Sequence, residues 1–190
     1  MNLFASPMPP DLLYLSDWIS DEVHDSVVHA IDSHPFKLDL SRRTQHYGYF
    51  YDYRVSDVDT SNPAPAAPSE LMNLAQRLAD EGYFHRVPDQ IIVNEYESGQ
   101  GIAEHIDHSS FGPVVATLSL LESWPMTFSS PSNEKIEVLL ERCSLALMIG
   151  ESRSVWTHEI RKRQNDVVGG LKVPRRRRLS VTFRTVNAKD

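Results

Sequence analysis

The side chains in this chain best spaced to do chemistry together are His105 and Asp107, two residues apart at the end of Val93–His108 (VNEYESGQGIAEHIDH). If that backbone is extended, both side chains leave the same face, and an imidazole and a carboxylate so placed can share one metal ion. A third ligand must come from elsewhere, and His158 in Val155–Ile160 (VWTHEI) is the best-placed candidate. Two histidines and one carboxylate on one face of an octahedron hold non-haem Fe(II) and leave three positions open. The same three ligands plus a water also describe a catalytic zinc site.

A His-x-Asp alone is a weak signal among eight histidines, so the distant arginines matter more. Arg178 and Arg184 flank Leu179–Phe183 (LSVTF), and in a strand Arg178, Ser180, Thr182 and Arg184 share one face while Leu179, Val181 and Phe183 share the other. Six residues of strand set the two guanidinium roots about 20 Å apart. Long side chains leaning inward from there leave a gap on the scale of a small dicarboxylate. A guanidinium grips a carboxylate through two parallel charge-assisted bonds, so the spacing suits an acidic cosubstrate. On 90–96, Ile92, Asn94 and Tyr96 alternate with Ile91, Val93 and Glu95. If the even face looks inward, it delivers an amide and a phenol to the pocket.

The elements that must position these groups follow from pattern. Short apolar runs at 90–96, 114–121, 124–129, 136–140, 144–149, 155–160 and 178–186 read as seven strands without helical insertions, a mainly β jelly roll with flanking helices. Gly99 and Gly101 are expected to make the turn that brings His105 to its mouth. Before them, 9–20 reads as an opening strand and loop. Ser20 caps a helix carrying Val23, Val27, Ala30 and Ile31, which Pro35 ends, with His24 and His29 expected in solvent. Ser69 is expected to cap a second helix, with Leu71, Leu74, Ala75 and Leu78 on one face and Gly82 after its end. Between the helices, 44–55 reads as one aromatic strand with Tyr47, Tyr49, Tyr51 and Tyr53 on one side. That row either stacks on a flipped base or seals a sheet against a helix; His46 and Arg54 are its notable polar residues.

Taken together, N-x-Y-x-x-G-x-G-I-x-x-H-x-D over Asn94–Asp107, the later His158, and R-x-S-x-T-F-R over Arg178–Arg184 resemble the AlkB family of Fe(II)/2-oxoglutarate dioxygenases. The resemblance implies a double-stranded β-helix, Fe(II) on His105, Asp107 and His158, and 2-oxoglutarate bound by Asn94, Tyr96, Arg178 and Arg184, with Thr182 in the same set. Arg178 would take the distal carboxylate, and Arg184 would lie near the metal-side carboxylate and Asp107. O2 is the further substrate; 2-oxoglutarate is converted to succinate and CO2 while a C–H bond is hydroxylated, and an N-methyl product collapses to formaldehyde and the bare base. The segment before the metal motif supplies part of the nucleotide-recognition lid in this family, which points to Tyr47, Tyr49, Tyr51 and Arg54. QHYGY (Gln45–Tyr49), the S-x-F after His108, and G-E-S-R-x-x-W-T-H-x-I over Gly150–Ile160 are similar to the branch that hydroxylates a modified wobble uridine in tRNA. The same chemistry on a protein side chain or small molecule stays open, as do a zinc hydrolase and a non-catalytic binding module. His108 and Glu104 are left as groups that could support the ligands.

The whole chain sets the outer bounds. At 190 residues it fits one domain, 1–89 carrying helices and lid and 90–186 the jelly-roll core. A single cysteine, Cys143, points to a reducing compartment, and the N-terminus shows no secretory pattern and the chain no apolar run of spanning length, so a cytoplasmic location is expected, with no membrane association. Net charge is −7, unevenly spread: eleven Lys/Arg against three Asp/Glu from Arg153 onward, eight against twenty-three before it. Arg175, Arg176 and Arg177 read as a solvated or phosphate-facing run, and 161–178 as a weak contact for a nucleic acid partner such as tRNA or alkylated DNA or RNA. The acidic body argues against a protein that coats or slides along duplex DNA.

Overall fold

The computed structural model describes residues 7–38, 41–52, 57–168 and 170–187. The chain begins β1 (Leu12–Leu15), α1 (Asp21–Asp32), β2 (Arg43–Tyr47), β3 (Tyr49–Asp52), β4 (Asp57–Pro63) and α2 (Ser69–Asp80). It continues β5 (Gln90–Tyr96), β6 (Ile102–His105), β7 (Phe111–Leu121), β8 (Trp124–Ser129), β9 (Lys135–Leu140) and β10 (Leu145–Met148). A one-turn helix α3 (Gly150–Ser154) precedes β11 (Thr157–Ile160), β12 (Asn165–Val168), β13 (Leu171–Pro174) and β14 (Arg178–Val186). The expected strand at 155–160 therefore starts later, after α3, and β6 and the β12–β13 hairpin are additions to the seven strands read from pattern.

The fold is a jelly roll. A six-stranded antiparallel sheet, β1-β10-β7-β14-β5-β2, faces a four-stranded sheet, β6-β11-β8-β9. β1 and β2 lie at the two edges of the large sheet, so residues on both sides of position 90 build one layer. The pleat divides the core in two. Leu145 and Leu147 of β10, Ile91 and Val93 of β5, and Leu179, Val181 and Phe183 of β14 pack with Val27, Ile31, Leu71, Leu74 and Leu78 of the helices. The alternate residues Ala146, Met148 and Tyr96 pack between the sheets with Trp124, Phe128, Trp156 and Ile160. Each fully buried Leu, Ile or Phe in these layers contributes roughly 1.5–3 kcal/mol. Among the described residues no helix is long and apolar enough to cross a membrane.

The helix ends depart in detail from expectation. Ser20 does cap α1, its hydroxyl accepting from the Val23 N–H at 3.4 Å, but Val23 itself is exposed. His24 is not in solvent: it is buried, its Nε2 accepts from the Leu121 N–H at 3.1 Å, and its Nδ1 lies 2.8 Å from Asp25. Since Leu121 has φ 66° at the end of β7, the imidazole secures a backbone donor that the turn leaves without a ladder partner. Ser69 is the first residue inside α2 rather than its cap; Pro68 precedes the helix with no side-chain cap.

The aromatic strand is two strands. Gly48 has φ +77°, and a Cβ there would sit 1.9 Å from the Asp89 carbonyl oxygen, so the chain turns where only glycine fits. Tyr47 consequently points to the helix layer, where it is buried, donates to Gln45 Oε1 at 3.0 Å, and has its phenol pushed up to about 12 by burial. Tyr49 and Tyr51 belong to the separate β3–β4 ribbon and pack on Phe111, Val58 and Val186. Arg54 and Tyr53 lie outside the described residues.

The arginine run is also not a solvated strip. Arg175 is buried, grips Asp166 with two bonds of 2.6 and 2.8 Å, and stacks 4.3 Å from the Trp124 ring, pinning the β12–β13 hairpin to β8. Arg177 bridges Glu95 on β5 and Asp32 at the end of α1. Arg161 and Arg163 pair with Glu137, Glu159 and Asp166, which leaves Lys162, Lys172 and Arg176 as the cations of 161–177 without an acidic partner among the described residues.

Glu95 therefore ties three elements together, since Arg43 of β2 also pairs with it. Burial alone would raise its carboxyl, but the Arg43 and Arg177 guanidiniums outweigh that and hold it below the usual 4.5. A depressed carboxylate stabilises the fold fully above its unfolded pKa, and that stabilisation is lost as pH falls through the folded value. Glu95→Gln should cost about 2–3 kcal/mol at neutral pH and flatten the acid limb of a Tm-against-pH profile below about pH 4.5. An unchanged acid limb would show that another carboxylate dominates it.

Candidate active site

His105 ends β6 and His158 sits on β11, and the two are direct partners across the antiparallel pair. Their rings lie 4.3 Å apart, centroid to centroid. Asp107 follows two residues after β6 ends, and one potential ligand atom from each of the three lies within 4.8 Å of the others. Gly101 enables this approach: a Cβ there would meet the Ile160 carbonyl oxygen of β11 at 2.1 Å.

The protonation states suit a cation. His105 Nδ1 lies 2.8 Å from the Ala103 carbonyl, which can only accept, so Nδ1 is the donor there and Nε2 is the ring nitrogen left to face a metal. His158 has its pKa pushed down to about 4 by burial, so it is neutral at physiological pH; its Nε2 stands 3.7 Å from Asp107 Oδ2, and its buried Nδ1 has no hydrogen-bond partner. Burial pulls the Asp107 carboxyl upward, but Arg184 first, then His158, His105 and Arg153, hold it below the usual carboxylate range. Arg184 Nη1 donates to Asp107 Oδ1 at 2.7 Å, and its Nε donates to Gln90 Oε1 at 2.9 Å.

Beside the three lies a cavity of about 460 Å³, within the range of small-ligand sites. Asn94, Tyr96, Thr182 and Arg184 line it with the three ligand candidates, and Ile92, Met126, Met148 and Ile160 make its wall apolar. The even face of β5 does look inward. Arg178 is not on the wall but fully buried beside it, 5.6 Å from the Tyr96 ring, donating to Ser119 Oγ at 2.9 Å. Its Nε and Nη1 have no partner, and burial pushes the guanidinium down to about 10. A buried cation with two orphaned donors is costly unless an anion completes it. The residues thus fit both groups: a hard N/O triad for Fe(II), and an incomplete guanidinium for a carboxylate.

Of the tyrosine row, Tyr51 lines the cavity, at its mouth with Ile106 and His108, whereas Tyr47 and Tyr49 do not. Glu104 is exposed and accepts from Thr157 Oγ1 at 2.5 Å, and His108 Nδ1 pairs with Ser110, so these side-chain bonds lead away from the triad. Two groups, Arg42 on the cavity wall and Gln90 behind Arg184, were not anticipated. Arg42 lines the wall and donates from Nε to Asn94 Oδ1 at 2.7 Å, which turns the Asn94 Nδ2 donors away from it. Gln90 orients Arg184. Continuing the alternation of β2 back through Thr44 to Arg42, and pairing Gln90 with Arg184 across β5 and β14, would have found both.

Residues 12–184 match the 2OG-Fe(II) oxygenase superfamily, and the chain belongs to it. It is an Fe(II)- and 2-oxoglutarate-dependent dioxygenase, with O2 as the oxidant. Within that superfamily it is AlkB-like and stands on the ALKBH8 branch: it is 36% identical over 176 residues to the Mus musculus tRNA (carboxymethyluridine(34)-5-O)-methyltransferase ALKBH8, covering 88% of this chain and 26% of that protein. It is 31% identical to uncharacterized protein L905 of Acanthamoeba polyphaga mimivirus, covering 90% of this chain and 83% of that one. The chain thus spans about a quarter of the length of the ALKBH8 relative. The solved structure of OsALKBH1 superposes with a TM-score of 0.66 at 18% identity, over 95% of this chain and 100% of that one, and shares the fold.

The orphaned nitrogens of Arg178 generate a direct expectation. Arg178→Met should raise the KM for 2-oxoglutarate by roughly 100-fold, the worth of a charge-assisted pair of bonds, and abolish the rise in Tm that 2-oxoglutarate gives the wild type. An unaltered 2-oxoglutarate-dependent Tm shift would place the carboxylate elsewhere.

Proposed function

We propose that the chain oxidises a modified or alkylated nucleobase in RNA or DNA, with a modified tRNA base as the favoured substrate. The observation that carries the reaction is the assembly of His105, Asp107 and His158 beside a cavity bordered by an incomplete guanidinium. The substrate class is supported by the likeness to the mouse protein, whose name refers to a uridine at position 34 of tRNA. That name's methyl transfer belongs to a protein of which this chain spans about a quarter, and nothing in the cavity described above calls for it.

When bound, Fe(II) and 2-oxoglutarate together supply O2-dependent oxidation of a substrate C–H bond. His105, Asp107 and His158 hold the metal, His158 ready as a neutral ligand and Asp107 kept ionised by Arg184. Arg178 completes its bonding on the distal carboxylate of 2-oxoglutarate, the Asn94 amide and Tyr96 phenol donate to the same molecule, and Arg184 and Thr182 bound the metal end. Ile92, Met126, Met148 and Ile160 keep water from the reacting region. Tyr51, with Ile106 and His108, offers a mouth on which a base can stack. Tyr47 has no part in this, being buried in the helix layer, and Tyr49 only supports the ribbon that presents Tyr51.

A second reading, oxidation of a protein side chain or small molecule, is favoured by the neutralised basic segment on an acidic body. Succinate release from 2-oxoglutarate by the Fe(II)-loaded chain, measured beside Asp107→Ala with methylated oligonucleotides, wobble-modified tRNA or neither, separates the two. Stimulation of the wild type by one nucleic acid is the expected result; turnover indifferent to every nucleic acid would favour the second reading, and none above the variant would overturn both.

A further inference from the structure

The segment Gly150–Arg153 marks a branch likeness in the sequence, yet none of its residues lines the cavity. Its geometry is nonetheless directed at the metal ligands. Arg153 is buried, donating from Nη1 to the Asp107 carbonyl oxygen at 2.8 Å and from Nη2 to the His108 carbonyl oxygen at 2.9 Å, with the Phe111 carbonyl oxygen 3.5 Å from the same nitrogen. The Asp107 and His108 oxygens belong to the irregular stretch between β6 and β7, which has no ladder of its own to fix it, and that of Phe111 to the first residue of β7. One planar guanidinium thus replaces the missing ladder.

Arg153 is in turn held by α3. The Glu151 N–H donates to Asp11 Oδ2 at 3.0 Å, the Ser152 N–H donates to the Pro10 carbonyl at 3.2 Å, and the Ser152 hydroxyl lies 3.2 Å from the Asp11 carbonyl and accepts from the Ile149 N–H at 3.1 Å. Gly150 has φ +48°, and a Cβ there would stand 2.2 Å from Asp11 Oδ2, so the close approach of Asp11 requires glycine. The path runs from Asp11 before β1, through α3, to the backbone of a metal ligand.

We infer that Arg153 is a positioning residue for the metal site, holding the Asp107 backbone so that its carboxylate stays in register with His105 and His158, with Asp11 and α3 as its support. This rests on reading those three residues as the metal ligands. Arg184 fixes the Asp107 side chain and Arg153 its main chain, and the carboxylate is defined only when both are in place. Loss of a group that orients a metal ligand typically weakens metal binding by about 10–100-fold.

The test uses Co(II) alone, followed by equilibrium dialysis and by visible d–d absorption, with Tm measured alongside. Arg153→Met should weaken Co(II) binding by about 10–100-fold and alter the d–d bands, and Arg153→Lys, which can reach one carbonyl, should fall between it and the wild type. Arg175→Met is the control: it removes an equally buried arginine far from the triad in its bonding, and should lower Tm while leaving Co(II) affinity and bands unchanged. Should Arg153→Met fail to fold, Asp11→Gly decides, since glycine accepts the φ of 58° found at Asp11 and removes only the carboxylate; it should weaken Co(II) binding by a smaller factor in the same direction. Wild-type affinity and bands in Arg153→Met, or an equal loss in Arg175→Met, would overturn the brace while sparing the triad. A wild type that binds no Co(II) would overturn the triad and the brace with it.

Discussion

A carboxylate withdrawn from water has to be compensated, and Asp107 is where this structure meets that demand. Its Oδ1 is answered by Arg184, while Oδ2 faces His158 Nε2 at 3.7 Å, too far for a hydrogen bond. An imidazole nitrogen and a carboxylate oxygen held at that distance leave room for a cation between them. The compensation is anchored in the middle of the large sheet. Arg184 extends from β14, which is paired with β5 on one side and β7 on the other, and Gln90 of β5 holds its Nε. The Asp107 carboxylate thereby draws on the central strands of the large sheet, while the loop that carries it is irregular.

The same alternation that builds the core sets out the chemistry. Along β14, Leu179, Val181 and Phe183 enter the helix layer, and Arg178, Ser180, Thr182 and Arg184 face the other sheet. A slip of one residue would drive two guanidiniums into the apolar helix layer and expose three apolar side chains to the cavity, so the register is strongly specified. β5 obeys the same rule, with Glu95 as the exception on the helix side. It is tolerated because Arg43 and Arg177 meet it there, and Arg177 continues to α1. Core packing and the polar groups turned toward the other sheet are therefore encoded by opposite phases of one pattern.

That is why the site was legible from sequence to the extent it was. The faces of β5 and β14 depend on period two, which a strand cannot evade, and the helix faces of α1 and α2 depend on period 3.6 in the same way, whereas Asp107 lies past the end of β6 and was found by its spacing from His105. The misreadings share another cause. Gly48 interrupts an alternation that composition continues, because the nearby Asp89 carbonyl is distant in sequence. His24 and Ser69 sit where local rules admit two outcomes, decided for His24 by the Leu121 N–H on a strand 97 residues away. Arg175 and Arg177 look like a solvated run until Asp166, Trp124, Glu95 and Asp32 are brought to them. Long-range pairing, unlike periodicity, leaves no mark in the local sequence.

Folding also changes what the charge asymmetry means. Arg153, Arg175, Arg177, Arg178 and Arg184 all have internal roles or are fully buried, so the positive surplus of the C-terminal part is largely withdrawn from the surface. What faces solvent is a predominantly acidic body with Lys172 on the β12–β13 hairpin and Lys162 and Arg176 beside it, a surface that attracts polyanions weakly and releases few counterions on contact. A nucleic acid substrate would then have to be chosen less by its backbone than by what enters the cavity mouth beside Tyr51. Discrimination of that kind suits an enzyme that reads one modified base and has no use for holding long stretches of nucleic acid.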